Sequence, residues 1–179
     1  MPLSNPLPAW CIRGLRSGLH LALSLVIASV LLLFVFQPVR VEGYSMMPRL
    51  RNNERLFIDK RAFDLGPLQR GDVIVFHYPR DPRQSFIKRI IGLPGDHVTI
   101  WGGVVYVNGQ RLAEPYVPAG FQDYQDYPEV TVPAHQYYVL GDHRNSSNDS
   151  RDWGCLPASD IFGRAVFAYW PLPELGLIH

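Results

Sequence analysis

His97-Val98-Thr99-Ile100-Trp101-Gly102-Gly103-Val104-Val105-Tyr106-Val107-Asn108-Gly109 sets two short runs rich in β-branched and aromatic residues around a Gly-Gly pair and closes on Asn-Gly. Both dipeptides suit the left-handed central positions of a two-residue hairpin, and the runs between them have strand length. Outward from this stretch the same texture recurs at 55–60, 72–78, 86–91, 137–140 and 165–170. Within 72–78, Val73-Ile74-Val75-Phe76 is a continuous apolar run of strand length. Pro-Gly, Asp-Pro and Gly-Asp turns separate these runs, and none carries a sustained helical period. The 15 glycines and 16 prolines fit many turns better than long helices. The expected fold class is mainly β, an antiparallel, coiled or barrel-like domain over residues 38–179.

Ahead of that domain, no charged residue stands between Leu21 and Phe36, and only Ser24 and Ser29 interrupt the apolar run. With Leu19 and His20 the stretch is roughly 18 residues, near the lower limit for a helix crossing the hydrocarbon core. Arg13 and Arg16 precede it and Pro38 ends it. A cleaved signal peptide would have a shorter apolar core and a small-x-small site, which Val41-Glu42-Gly43 matches only weakly. A buried core helix would carry a polar face, and this one is apolar all round. The favoured reading is a retained span: residues 1–18 a short cytoplasmic N-terminus, 19–37 a transmembrane helix and 38–179 the β-rich domain. Arg40, Arg49, Arg51 and Arg55 follow the span, so the charge count alone leaves its orientation open. The 179 residues suit one modest domain plus an anchor, and a formal net charge of +1 offers no footprint for a nucleic acid. Cys11 and Cys155 would fall on opposite sides of the membrane and cannot pair there.

Three segments could carry chemistry. Gly43-Tyr44-Ser45-Met46-Met47-Pro48 sets a serine after a glycine-containing turn; a serine needs a base to act as nucleophile. Phe86-Ile87-Lys88-Arg89-Ile90-Ile91, read as a strand, puts Lys88 on one face with Phe86 and Ile90, and Arg89 on the other with Ile87 and Ile91. An amine packed among apolar side chains is desolvated, which lowers its pKa and lets it accept a serine proton. The third segment, from Gly141-Asp142-His143-Arg144 to Asp152-Trp153-Gly154, mixes Asp, Arg, Ser and Asn as an ion-paired scaffold around a site requires. Residues 118–128, with Tyr124, Asp126 and Tyr127, read as a surface excursion, and the six histidines as surface or turn residues.

Taken together, these segments resemble the type I signal peptidases, the Ser–Lys leader peptidases. The matching pieces are Ser45-Met46-Met47-Pro48, Gly71 to Phe76, Lys88 to Asp96 and Gly141-Asp142 to Trp153-Gly154, in that family's order, with Val105 to Gly109 and Gly163 to Pro171 also alike. The resemblance implies a membrane-bound serine endopeptidase that removes signal peptides from exported preproteins by cleavage after small residues of Ala-x-Ala type. Ser45 would attack, Lys88 would be the base, an acyl-enzyme would form, and no metal or cofactor would be needed. The backbone N–H of Ser45 would serve the oxyanion, and Ser147 would orient the lysine. Asp142, Arg144, Asp149, Ser150 and Arg151 would hold the site together. The substrate would lie extended between residues 39–43 and 85–87, with Val41, Gly43, Met46, Leu50, Phe86 and Ile87 about its side chains. Partners would be preproteins and the lipid bilayer, not nucleic acid, and the oligomeric state is left open. The expected place is the bacterial plasma membrane, or a thylakoid, with the β domain on the trans side. Against the family pattern, Arg49 replaces a usual Thr, His143 and Asn145 replace a common Asn and Asp, and Gly43 brings no hydroxyl.

Three other readings stay open at this point. A Ser–His–Asp hydrolase would have to use adjacent Asp142 and His143, and no Gly-x-Ser-x-Gly elbow is present. A dedicated Ser–Lys processing peptidase of a pilus or conjugation substrate would share the chemistry and differ in substrate. A non-catalytic anchored β domain would have kept both Ser45 and Lys88 without using them.

Overall fold

The structure is a computed structural model that describes residues 19–27, 29–30, 34–61 and 66–178. The chain divides into two compact units, 1–36 and 37–179. In the first, residues 19–27, 29–30 and 34–35 are helical, and no helix among the described residues is long and apolar enough to cross a membrane. The expected span at 19–37 includes residues 28 and 31–33, which lie outside the described residues, as does the expected N-terminus at 1–18. Its far end is corrected: Phe36 and Gln37 open a strand rather than close a helix. Pro38 explains this, since it has no N–H to donate and biases the residue before it toward extended backbone.

Among the described residues there are twelve strands, which from Gln37 onward lie in the second unit: β1 (Phe36–Arg40), β2 (Arg55–Asp59), β3 (Val73–Tyr78), β4 (Asp81–Gly92), β5 (His97–Trp101), β6 (Val104–Val107), β7 (Gln110–Arg111), β8 (Tyr127–Thr131), β9 (Gln136–Leu140), β10 (Leu156–Pro157), β11 (Ile161–Trp170) and β12 (Gly176–Leu177). One sheet runs β1-β2-β11-β3-β4-β9-β10, with β12 on β11, and a four-stranded sheet runs β7-β6-β5-β8. Among the described residues the larger ladder does not return from β10 to β1, so neither sheet closes into a hydrogen-bonded barrel.

Local chemistry explains the elements. Gly102 and Gly103 have φ of 54° and 77°, and Asn108 and Gly109 have 52° and 74°. Each pair fills both left-handed positions of a tight hairpin, joining β5 to β6 and β6 to β7. The run Val73-Ile74-Val75-Phe76 is apolar throughout because β3 is buried on both faces. Val73 and Val75 enter a core with Val41, Met46, Leu50, Leu56, Ile58 and Ile178, whereas Ile74 and Phe76 enter another with Ile90, Val139 and Leu156. A third core joins Ile91 and Leu140 of the large sheet to Val98, Ile100, Val105 and Val107 of the small one. One strand was hidden in the supposed excursion: β8 begins at Tyr127, where Pro128 disguises an edge strand.

For the site, β4 matters most. It pairs with β3 from Arg89 back to Asp81, but with β9 only from Arg89 to Gly92. Beside Ser85, Phe86 and Ile87, the edge of β4 away from β3 therefore carries no strand among the described residues.

Candidate active site

Ser45 sits in the turn after Gly43, whose φ of 102° favours glycine and whose N–H donates to Asn52 Oδ1 at 3.0 Å. The turn is closed by Met47 N–H on the Tyr44 carbonyl at 3.1 Å and Leu50 N–H on the Met46 carbonyl at 2.8 Å. It delivers the Ser45 hydroxyl to Lys88: Oγ and Nζ are 2.7 Å apart. Lys88 is 3% exposed, lies 5.1 Å from the centre of the Phe86 ring, and donates to the Ile87 carbonyl at 3.0 Å. Burial pushes its pKa from 10.5 down to about 8; the negative Asp149 and Asp142 resist the fall and Arg151 assists it. Near pH 8 about half of such lysines are neutral and able to take a proton.

Buried ion pairs hold this geometry. Arg89, next to Lys88 but on the opposite face of β4, grips Asp142 with both ends of its guanidinium at 2.9 and 2.8 Å. It also donates to the Gly71 carbonyl at 2.8 Å and lies over the Tyr116 ring. Asp149 caps the short helix Ser150–Trp153, accepts from Gly141 N–H at 3.0 Å and receives two bonds at 2.8 Å from Arg151. Ser150 Oγ accepts from Val139 N–H at 2.9 Å. Arg144 binds the Gly141 carbonyl at 3.0 Å and pairs with Glu114, while Arg151 pairs with Asp123. Every expected scaffold residue is thus engaged. Their partners Arg89, Glu114, Tyr116 and Asp123 were not picked out from the sequence. Arg89, a cation among apolar neighbours on a strand, was the one such signal available there.

A cleft of about 780 Å³ opens over the Ser45–Lys88 pair. Its walls include Val39, Val41, Gly43, Ser85, Phe86 and Ile87, so two strips expected to flank a substrate do line one groove. Met46 and Leu50 do not line it. At 1% and 0% exposure they belong to the core that Val41 shares, because the turn's own hydrogen bonds fold them inward. Arg49 also stays out of the cleft wall and donates instead to the Leu177 carbonyl. Ser147 Oγ is buried and makes no hydrogen bond among the described residues, to Lys88 or otherwise. It packs against Gly141, where a Cβ would come within 2.2 Å of it and 2.5 Å of the Ser45 carbonyl oxygen. The supposed excursion at 118–128 is tied down instead of loose, through Asp123 and through Phe121, whose ring stands edge-on to His143 at 4.5 Å. Cys155 is a free thiol, Cys11 lies outside the described residues, and among the described residues no cluster of side chains could hold a metal ion.

The family model described as signal peptidase, peptidase S26, matches residues 15–170. The chain belongs to the peptidase S26 signal peptidases. It is 44% identical over 163 residues to a signal peptidase I of Leptolyngbya laminosa, covering 87% of this chain and 79% of that one. With a signal peptidase I of Bacillus caldolyticus it shares 39% over 174 residues, covering 90% and 93%. A solved signal peptidase I from Enterococcus faecalis V583 is similar at a TM-score of 0.49 and 35% identity, over 55% of this chain and 96% of that one. As a member of the family, the chain is a serine peptidase, a hydrolase that removes signal peptides.

Proposed function

We propose that the chain is a membrane-anchored endopeptidase that cuts exported preproteins after small residues of Ala-x-Ala type, with Ser45 as nucleophile and Lys88 as general base. The observation that carries this reading is the 2.7 Å approach of Ser45 Oγ to an amine that is 3% exposed and depressed toward neutrality. Neutral Lys88 takes the Ser45 proton as Oγ bonds to the scissile carbonyl carbon. The Ser45 N–H donates to the resulting oxyanion. Protonated Lys88 then gives the proton to the departing amine as the C–N bond breaks. Water next surrenders a proton to Lys88 and attacks the ester, and Ser45 regains its hydrogen. Asp142, Arg144, Asp149, Ser150 and Arg151 hold the loop that backs the pair, and the Ile87 carbonyl, not Ser147, is the second group that the Lys88 amine meets. No metal or cofactor takes part.

The substrate adds as an extended strand between 39–43 and 85–87. The unpaired edge of β4 beside Ser85, Phe86 and Ile87 supports this mode, in which backbone bonds give affinity and the alternate side chains give specificity. Val41, Gly43, Phe86 and Ile87 face the small residues before the cut. The apolar segment that begins at residue 19 and ends before β1, charge-free from Leu21 onward, anchors the chain in the bacterial plasma membrane or a thylakoid, with the β domain on the trans side. The test is N-terminal sequencing of the mature product from a preprotein bearing Ala-x-Ala, and from versions with Leu at either Ala. The expected result is a single cut after the second Ala, lost with either Leu; unchanged cutting of the Leu versions contradicts the specificity.

A further inference from the structure

One departure from the family pattern, His143, holds the nucleophile's backbone. Its main-chain N–H donates to the Ser45 carbonyl at 3.0 Å, and its ring Nδ1 lies 3.1 Å from the Tyr44 carbonyl oxygen. A carbonyl oxygen can only accept, so the ring proton that this contact requires sits on Nδ1. The Tyr44 oxygen also receives Met47 N–H at 3.1 Å, which fills both of its lone pairs. Phe121 packs edge-on against the same ring, 4.5 Å between centroids.

The Tyr44 carbonyl and the Ser45 N–H belong to one peptide unit. That unit is planar, and in the trans form its C=O and N–H point in opposite directions. A donor that grips the carbonyl therefore sets where the N–H points. Ser45 lines the cleft, and among the described residues its N–H has no hydrogen-bond partner. A bond accepted at the carbonyl also polarises the N–H of the same unit and strengthens it as a donor.

We propose that His143 is a positioning residue that orients and polarises the Tyr44–Ser45 peptide unit, so that the Ser45 N–H is aimed at the oxyanion formed during attack. This rests on Ser45 being the nucleophile and adds a role to the residue beside the Asp142 scaffold. The ring does not touch the reacting atoms. It acts through the peptide plane, and its effect belongs to the transition state, where the oxyanion exists, more than to substrate binding.

The experiment compares wild type with His143→Phe and His143→Asn in the full chain in detergent. Phenylalanine keeps a ring against Phe121 but has no donor. Asparagine lacks the ring but offers an amide N–H at the position of Nδ1. The expected result is a fall in kcat of about 10- to 100-fold for His143→Phe, with KM within about threefold, as for a weakened oxyanion donor. His143→Asn should stay within about threefold of wild type in both. Reaction of Ser45 with a fluorophosphonate probe should follow the same order, since its tetrahedral oxygen uses the same N–H. The proposal is overturned if His143→Phe matches wild type, if His143→Asn falls as far as His143→Phe, or if imidazole ¹⁵N shifts show the neutral ring protonated at Nε2. Failure of wild type to cut a preprotein would bear on the substrate instead, because the probe reads the peptide unit without one.

Discussion

Lys88, the proposed base, is the residue at which burial costs stability and would serve catalysis. A fall in pKa from 10.5 to about 8 corresponds to roughly 3 kcal/mol against the charged form in the folded state. The folded pKa lies below the unfolded one, so the penalty is complete below about pH 8. It fades between there and about pH 10.5, as the unfolded chain also loses the proton. Lys88→Met should therefore melt at a higher temperature than wild type at pH 7, with the gap closing toward pH 10.5; equal melting temperatures at pH 7 would mean that the amine is not desolvated. Activity should also rise with pH, through about 8 as the amine becomes neutral, and a rate flat from pH 6 to 10 would count against a lysine base. Lys88→Arg should lose nearly all activity, since a guanidinium stays protonated. Gly141 is constrained by distance: a Cβ there would meet Ser147 Oγ at 2.2 Å and the Ser45 carbonyl at 2.5 Å. Gly141→Ala should cost about 1–3 kcal/mol of stability and displace the nucleophile. Intact melting and activity in that variant would refute this packing.

Among the elements, the stretch between β7 and β8 is where sequence and structure part. Its apolar residues follow no strand or helix period, and its second half falls in 118–128, which reads from sequence as a surface excursion. Yet Glu114 and Asp123 reach back to Arg144 and Arg151, with each of the four side chains at most 8% exposed. Removing one partner of such a pair leaves a buried charge and costs about 3–5 kcal/mol. Glu114→Ala should therefore lower the denaturation midpoint clearly, while Arg83→Ala, which breaks an ion pair made by a side chain 90% exposed, should leave it unmoved. Equal effects would deny the stretch its structural role. Strands β2 to β6, β9 and β11 were legible, because alternation, β-branching and the Gly-Gly and Asn-Gly turns are local signals, whereas β1, β8 and the two-residue strands were not. Partners about 30 residues apart, such as Glu114 with Arg144, leave no local trace. Met46 and Leu50 were misread for a related reason. An apolar side chain beside a nucleophile suits a pocket wall or a core equally well, and only the fold of the turn decides between them.

For the β unit as a whole, the arrangement is a frame of two sheets in which, among the described residues, the edge of β4 beside the proposed catalytic pair carries no strand. Ser45 and Lys88 come from segments 43 positions apart and meet because β4 brings its buried face beneath the turn that follows β1. The pair was legible through the order of its motifs, and the cleft through the two strips that line it. The hydrogen-bonding role of His143 was not, since a histidine in a polar loop looks the same whether or not it holds a carbonyl. Anchoring by the apolar segment ahead of β1 predicts that the full chain stays with membranes through alkaline carbonate extraction; release into the supernatant would remove the anchor from the account. The most direct test of the central claim is cleavage of an Ala-x-Ala preprotein in detergent by wild type, Ser45→Ala and Lys88→Ala. The account predicts that wild type alone releases the mature protein, with both variants folded and inactive. Release at the same rate by either variant would contradict it.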